Sequence, residues 1–172
     1  VFLALAGCRF EGSSSEGRDP AAGLAGFRAD VSGAVHGRIV GPGVVRYLPP
    51  AQVVMGRRPG YYFIADDAGL RELGITFTVP LGVVEGSHAL TSPSPLDAGT
   101  AFAVRVDRSV GDGTRSFDVG SSGTIELLDF PETPEDLSGH HIAGSFSFTT
   151  RDSDGNPISA RGTFDFTAAA TR

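Results

Sequence analysis

Ile142-Ala143-Gly144-Ser145-Phe146-Ser147-Phe148-Thr149 and Ser159-Ala160-Arg161-Gly162-Thr163-Phe164-Asp165-Phe166 are the two runs that decide the fold. In the first, Ile142, Gly144, Phe146 and Phe148 alternate with Ala143, Ser145, Ser147 and Thr149. In the second, Ala160, Gly162, Phe164 and Phe166 alternate with Ser159, Arg161, Thr163 and Asp165. Successive side chains of a strand point to opposite faces, so each run predicts a strand with one dry and one wet face. The connection Asp152-Ser153-Asp154-Gly155-Asn156-Pro157 is rich in turn formers, and the whole predicts a β-hairpin.

The same period extends outward from the hairpin. Strands are expected at 33–40, 44–48, 60–66, 73–79, 83–90, 100–107, 114–119 and 123–129. Ile75, Phe77 and Val79 oppose Thr76 and Thr78, and Phe102, Val104 and Val106 oppose Arg105 and Asp107. Tyr61-Tyr62-Phe63 reads as one residue out and two in. No window of a dozen residues has helical periodicity, and only short helical turns are expected, at Asp67–Leu73 and Pro134–Leu137. One-sided strands belong to antiparallel sheets. The expected fold is all-β, an antiparallel β-sandwich of about 8–10 strands over 30–172, with a lipocalin-like or flattened β-barrel as the alternative.

At 172 residues the chain can bury one core without metals or disulfides. Its net charge of −6 repels nucleic acid phosphates, so no nucleic acid partner is expected. All basic residues other than histidine are arginine and Asn156 is the only Asn, a composition that points to a GC-rich bacterial genome. Arg57-Arg58, the densest basic point, reads as a solvated turn.

Reactive constellations are missing. No Gly-x-Ser-x-Gly elbow occurs, Gly120-Ser121-Ser122-Gly123 has the wrong spacing, and Ser-x-x-Lys is impossible without lysine. Gly41-Pro42-Gly43 and Gly111-Asp112-Gly113 lack the remainder of a phosphate loop and read as turns. His140 and His141 are adjacent, so on a strand they would face opposite ways and could not chelate one ion together. His36 and His88 lie on distant segments, and all four read as solvated or edge-strand histidines. Asp152, Asp154 and Asn156 place oxygens at the first, third and fifth positions of an EF-hand-like loop and form a calcium candidate. Pro157 stands where that loop needs glycine and Thr163 where it needs a bidentate Glu, so turn chemistry is the preferred reading. Asp66, Asp67, Asp118, Glu126 and Asp129 are scattered and have no Trp beside them to stack on a sugar. Neither a catalytic residue nor a cofactor is expected.

Val1 to Gly7 is apolar throughout and ends at Cys8, the only cysteine, after which the chain turns polar. Seven residues cannot span a bilayer as a helix. No initiator Met or basic segment precedes Val1, so a truncated signal peptide is expected over 1–7. Residues 8–29 carry many breakers, Gly12-Ser13-Ser14-Ser15 among them, and read as a flexible tether reaching about 25 Å.

Leu5-Ala6-Gly7-Cys8 resembles the lipobox of bacterial lipoprotein signal peptides, over all four of its positions. The resemblance implies diacylglyceryl transfer to the Cys8 thiol, cleavage between Gly7 and Cys8, and often acylation of the new terminus. With Arg9 rather than Asp next in line, it also implies the outer membrane where an organism has two. Gly123-Thr124-Ile125-Glu126, Gly144-Ser145-Phe146-Ser147-Phe148 and Gly162-Thr163-Phe164-Asp165-Phe166 resemble bacterial lipoproteins that end in a Gly-Thr-Phe-x-Phe hairpin. That family has no assigned activity, so the resemblance implies fold and location alone. The expectation is a membrane-tethered, extracytoplasmic lipoprotein of the cell envelope, with a non-catalytic binding or structural β domain. The alternatives are a barrel-type carrier of an apolar small molecule and an envelope hydrolase using Asp/Glu. The expected partner is the membrane, through acyl chains on Cys8, with the protein or small-molecule ligand left open.

Overall fold

The computed structural model describes residues 26–50, 52–53, 56–57, 60–66, 73–93, 101–110 and 113–169, and in it the closing hairpin lies at the centre of the larger of two sheets. The strands among these residues are β1 (Gly26–Gly33), β2 (Gly37–Gly41), β3 (Gly43–Leu48), β4 (Gln52–Val53), β5 (Gly56–Arg57), β6 (Tyr61–Asp66) and β7 (Leu73–Pro80). They continue with β8 (Gly86–Leu90), β9 (Ala103–Val110), β10 (Gly113–Phe117), β11 (Val119–Asp129), β12 (His141–Arg151) and β13 (Pro157–Thr167). A six-stranded sheet runs β2-β1-β13-β12-β11-β8, a five-stranded sheet runs β10-β9-β7-β6-β3, and β4 pairs with β5. Every strand pairing is antiparallel. The two sheets do not close into a barrel, and the architecture is the β-sandwich.

The register of β12 on β13 explains why glycines occur in strands that are otherwise apolar on their inner face. Gly144 lies opposite Phe164 and Phe146 opposite Gly162. A Cβ on Gly144 would collide with the Glu126 carbonyl and the Phe164 ring, and one on Gly162 with the Arg28 carbonyl and the Phe146 ring. Each glycine thus leaves room for the ring of its cross-strand partner. Phe146 then reaches Phe77 of the facing sheet at 4.8 Å between ring centroids and Phe27 of β1 at 5.5 Å. Such aromatic pairs contribute about 0.5–1.5 kcal/mol each beyond the area they bury. The facing sheet completes the core with Tyr62, Ile64, Ile75, Val79, Val104, Val106 and Phe117, all fully buried.

Three differences from the sequence reading have local causes. A strand is expected at 33–40, but the chain forms two, β1 and β2, with a turn between them. Phe27, Ala29 and Val31 are the inward residues of β1, so Gly26–Ala29 lie in the sheet although they read as the end of the tether. Tyr62 points into the core while Tyr61 and Phe63 are half-buried, so the triplet is one in and two on the outer face, as strict alternation requires. The turn expected at Pro134–Leu137 is a 3-10 turn over Pro134–Asp136; of 67–73, only Leu73 is described, and it begins β7.

If the glycines serve to seat rings, Gly144→Ala should destabilise the fold by about 1–3 kcal/mol through overpacking. Gly113→Ala, whose Cβ would meet nothing nearer than the Val110 carbonyl at 3.8 Å, should change stability by less than about 0.5 kcal/mol. Chemical denaturation of the two variants measures the contrast, and equal losses would remove the ring-seating account.

Candidate functional site

Gly7 and Cys8 lie outside the described residues. Asp152, Asp154 and Asn156 occupy the β12–β13 connection, where the buried Asp152 carboxylate gathers donors. Its Oδ1 accepts from the backbone N–H groups of Asp154 at 3.0 Å and Asn156 at 2.8 Å, and from the Asn156 side-chain amide at 3.1 Å. Its Oδ2 accepts from the same amide at 3.0 Å and from Arg115 Nε at 2.8 Å, with Arg115 Nη2 closing a second contact. Burial is the strongest single influence on this carboxyl and would raise its pKa; the Arg115 and Asn156 hydrogen bonds together outweigh it and hold the group at about 2. A carboxylate ringed by a guanidinium and N–H donors is suited to fixing a loop. The oxygens that the sequence spaces like a calcium loop are oriented here by turn chemistry.

Arg115 belongs to β10 of the five-stranded sheet, so this pair also joins the two sheets. Its guanidinium stands over the Phe117 ring at 5.1 Å. One residue later the chain crosses between sheets at Asp118, whose N–H donates to the Arg151 carbonyl at 3.0 Å.

The histidine pair departs from expectation. His140 precedes β12, so strand alternation does not separate it from His141, and both rings reach Asp129. His140 Nε2 lies 2.9 Å from Asp129 Oδ1, and His141 Nδ1 lies 2.8 Å from Asp129 Oδ2. His141 Nε2 lies 2.9 Å from Asp165 Oδ1. Ala143 pairs with Asp129 on one side and Asp165 on the other, which places His141, two residues away on the same face, diagonal to both carboxylates. Carboxylate oxygens only accept, so both His141 bonds are made together by the imidazolium. The hydrogen bond to Asp165, then that to Asp129, raise the His141 pKa; the bond from His141 is the main cause of a lowered Asp129 pKa.

Beside this relay lies an acidic hollow of about 710 Å³ bordered by Glu85, Asp129, Glu132, Glu135, Asp136 and His140. Among the described residues, no three His, Cys, Asp or Glu side chains are arranged to hold a metal ion. The Tyr62 ring meets the hollow's Phe130 edge-on at 5.0 Å between centroids, and its buried hydroxyl makes no hydrogen bond among the described residues. Burial, with Glu135, Tyr47 and Asp136 adding to it, pushes the phenol up to about 12. Of the other sequence candidates, His88 stacks on Phe102 and donates from Nε2 to the Val84 carbonyl at 2.8 Å. His36 is exposed, and Glu126 accepts from Ser145 at 3.2 Å on the outer face. Asp66 ends β6, and Asp67 lies outside the described residues.

A feature that no motif announces is the outer face of the six-stranded sheet. Cross-strand pairing aligns Ser32, Ser159, Thr149 and Ser122 in one row, and Asp30, Arg161, Ser147 and Thr124 in the next. A trough of about 570 Å³ runs over these rows. Period-two alternation was the available signal, since every second residue of β12 and β13 is polar, but only the strand order brings the rows together. No family model, curated protein or solved structure matches this chain.

Two outcomes follow. Because the His141 pKa is raised, its contribution is full below its unfolded value of 6.5 and is lost as pH rises through the higher folded value. The Asp129 contribution has the opposite sense, present above 3.8 and lost as pH falls through its lowered value. The thermal midpoint should therefore decline as pH rises above about 6.5, with a shallower decline in Asp165→Asn; identical profiles would exclude the relay as the cause. Tyr62→Phe removes an unbonded buried hydroxyl and should raise stability by about 1 kcal/mol, where an ordinary bonded tyrosine would lose about that much.

Proposed function

We propose that the chain is an extracytoplasmic lipoprotein, tethered to a bacterial envelope membrane through acyl chains on Cys8, whose sandwich is a non-catalytic binding or structural module. The Leu5-Ala6-Gly7-Cys8 lipobox and the breaker-rich run that follows support the tether. Two or three acyl chains anchor stably where one is marginal.

The observation that carries the module reading is the filled interior. A carrier of apolar molecules needs an enclosed cavity of several hundred Å³, on the order of 300 or more. Between these sheets stand Phe27, Phe77, Phe146, Phe148 and Phe164, and the larger described hollows lie outside the core, on the outer face and beside the relay. An Asp/Glu hydrolase at neutral pH needs a carboxyl with a raised pKa. The carboxyls displaced from the ordinary range among the described residues, Asp129 and Asp152, are both lowered. These features favour a surface that binds over a pocket that reacts.

Metabolic labelling of the expressed precursor with a fatty-acid analogue tests the tether. Label should enter the wild-type chain and vanish in Cys8→Ala, and labelling that persists in the variant would overturn the assignment.

A further inference from the structure

We propose that the trough on the outer face of the six-stranded sheet binds a carboxylated polysaccharide, with a uronate carboxylate pairing to Arg161. The proposal rests on the binding-module reading and names its ligand class.

The trough crosses β11, β12, β13 and β1, four strands that span about 15 Å, room for about three sugar rings. Its outward side chains are the hydroxyls of Ser32, Ser122, Ser147, Thr149 and Ser159 with the charges of Asp30 and Arg161. Ser122 and Thr149 bond to each other at 3.1 Å, whereas Ser32, Ser147, Ser159 and Arg161 have no hydrogen-bond or ion-pair partner among the described residues. Hydroxyls both donate and accept, so they match the hydroxyls of a saccharide in either orientation.

Charge complementarity selects the acidic member of that class. Asp30, which stands opposite Arg161 across the β1–β13 pair, lies 3.8 Å from Arg38 Nε, and Arg161 makes no ion pair among the described residues. Arg161 also borders the adjoining hollow, beside Arg28, Arg38 and Asp30. A guanidinium binds a carboxylate through two parallel N–H bonds. Dense polyanions fit poorly, because the overall negative charge opposes them. The trough has no exposed aromatic ring on which nucleic acid bases would stack. An arginine without an ion pair among the described residues, set among many hydroxyls, fits a polymer with sparse carboxylates and abundant hydroxyl groups.

Binding of a fluorescently labelled trisaccharide of one glucuronate and two xylose units to the full chain, followed by polarisation, tests this. Affinity should fall about tenfold or more in Arg161→Gln, as expected when one charge-assisted pair is lost, and by a smaller factor in Ser147→Ala/Ser159→Ala. Arg108→Gln, which removes the same charge from the facing sheet, should bind as wild type, and labelled maltotriose should bind at least tenfold more weakly than the uronate. Thermal midpoints measured in parallel show that each variant is folded. Equal loss in Arg161→Gln and Arg108→Gln would reduce the effect to net charge and overturn the proposal. So would equal binding of maltotriose, absence of uronate binding, or tighter binding of phosphatidylglycerol vesicles that survives Arg161→Gln. The Cys8 labelling experiment reads the tether on the same chain, so failure of the trough and failure of the lipoprotein assignment are separate results.

Discussion

Where Phe146 faces Gly162 and Phe164 faces Gly144, two neighbouring strands exchange rings across positions that have no side chain. A larger residue at either glycine would force a ring out of its place, and with it the contacts to Phe77 and Phe27. The sheet-to-sheet packing depends on those rings, because Phe77 carries the facing sheet's share of the same cluster. A similar accommodation recurs at the periphery: the Phe166 ring occupies the space above Gly43, where the chain enters the five-stranded sheet. Glycine is ordinarily a weakness in a strand, and here it is a condition of aromatic packing.

This arrangement explains what could be read from the sequence. The closing hairpin was legible because its alternation is uninterrupted and its turn residues are unambiguous. The alternation of β1 is as regular, but Phe27 and Ala29 follow a run of glycines and alanines and merge with it by eye. The His141 relay was illegible for a different reason. It depends on which residues of β11 and β13 flank Ala143, a matter of register and strand order that no single segment encodes. Adjacency of His140 and His141 suggested divergence, and the strand boundary between them removed that constraint. The hydroxyl rows were present in the sequence as isolated Ser and Thr residues and became a surface only once four strands were placed side by side.

The distribution of charge divides the molecule into regions with different chemical affinities. At one end Glu85, Glu132, Glu135 and Asp136 border a hollow beside the His140–Asp129 contact. On the outer face of the six-stranded sheet, arginines stand among hydroxyls. The first region repels anions, and the second is the better placed to admit them even though the whole chain is acidic. With the interior filled, the recognition proposed above falls to these surfaces.

The Arg115–Asp152 pair has a consequence for the order of events in folding. Its partners are 37 residues apart, whereas β12 and β13 close through a short turn. Local closure sacrifices less chain entropy, so the hairpin can form early and the pair only after the five-stranded sheet has docked. An interaction made after the rate-limiting barrier acts on the unfolding rate and leaves the folding rate almost untouched. The clasp between the sheets is thus a determinant of how long the native molecule lasts, more than of how quickly it is made.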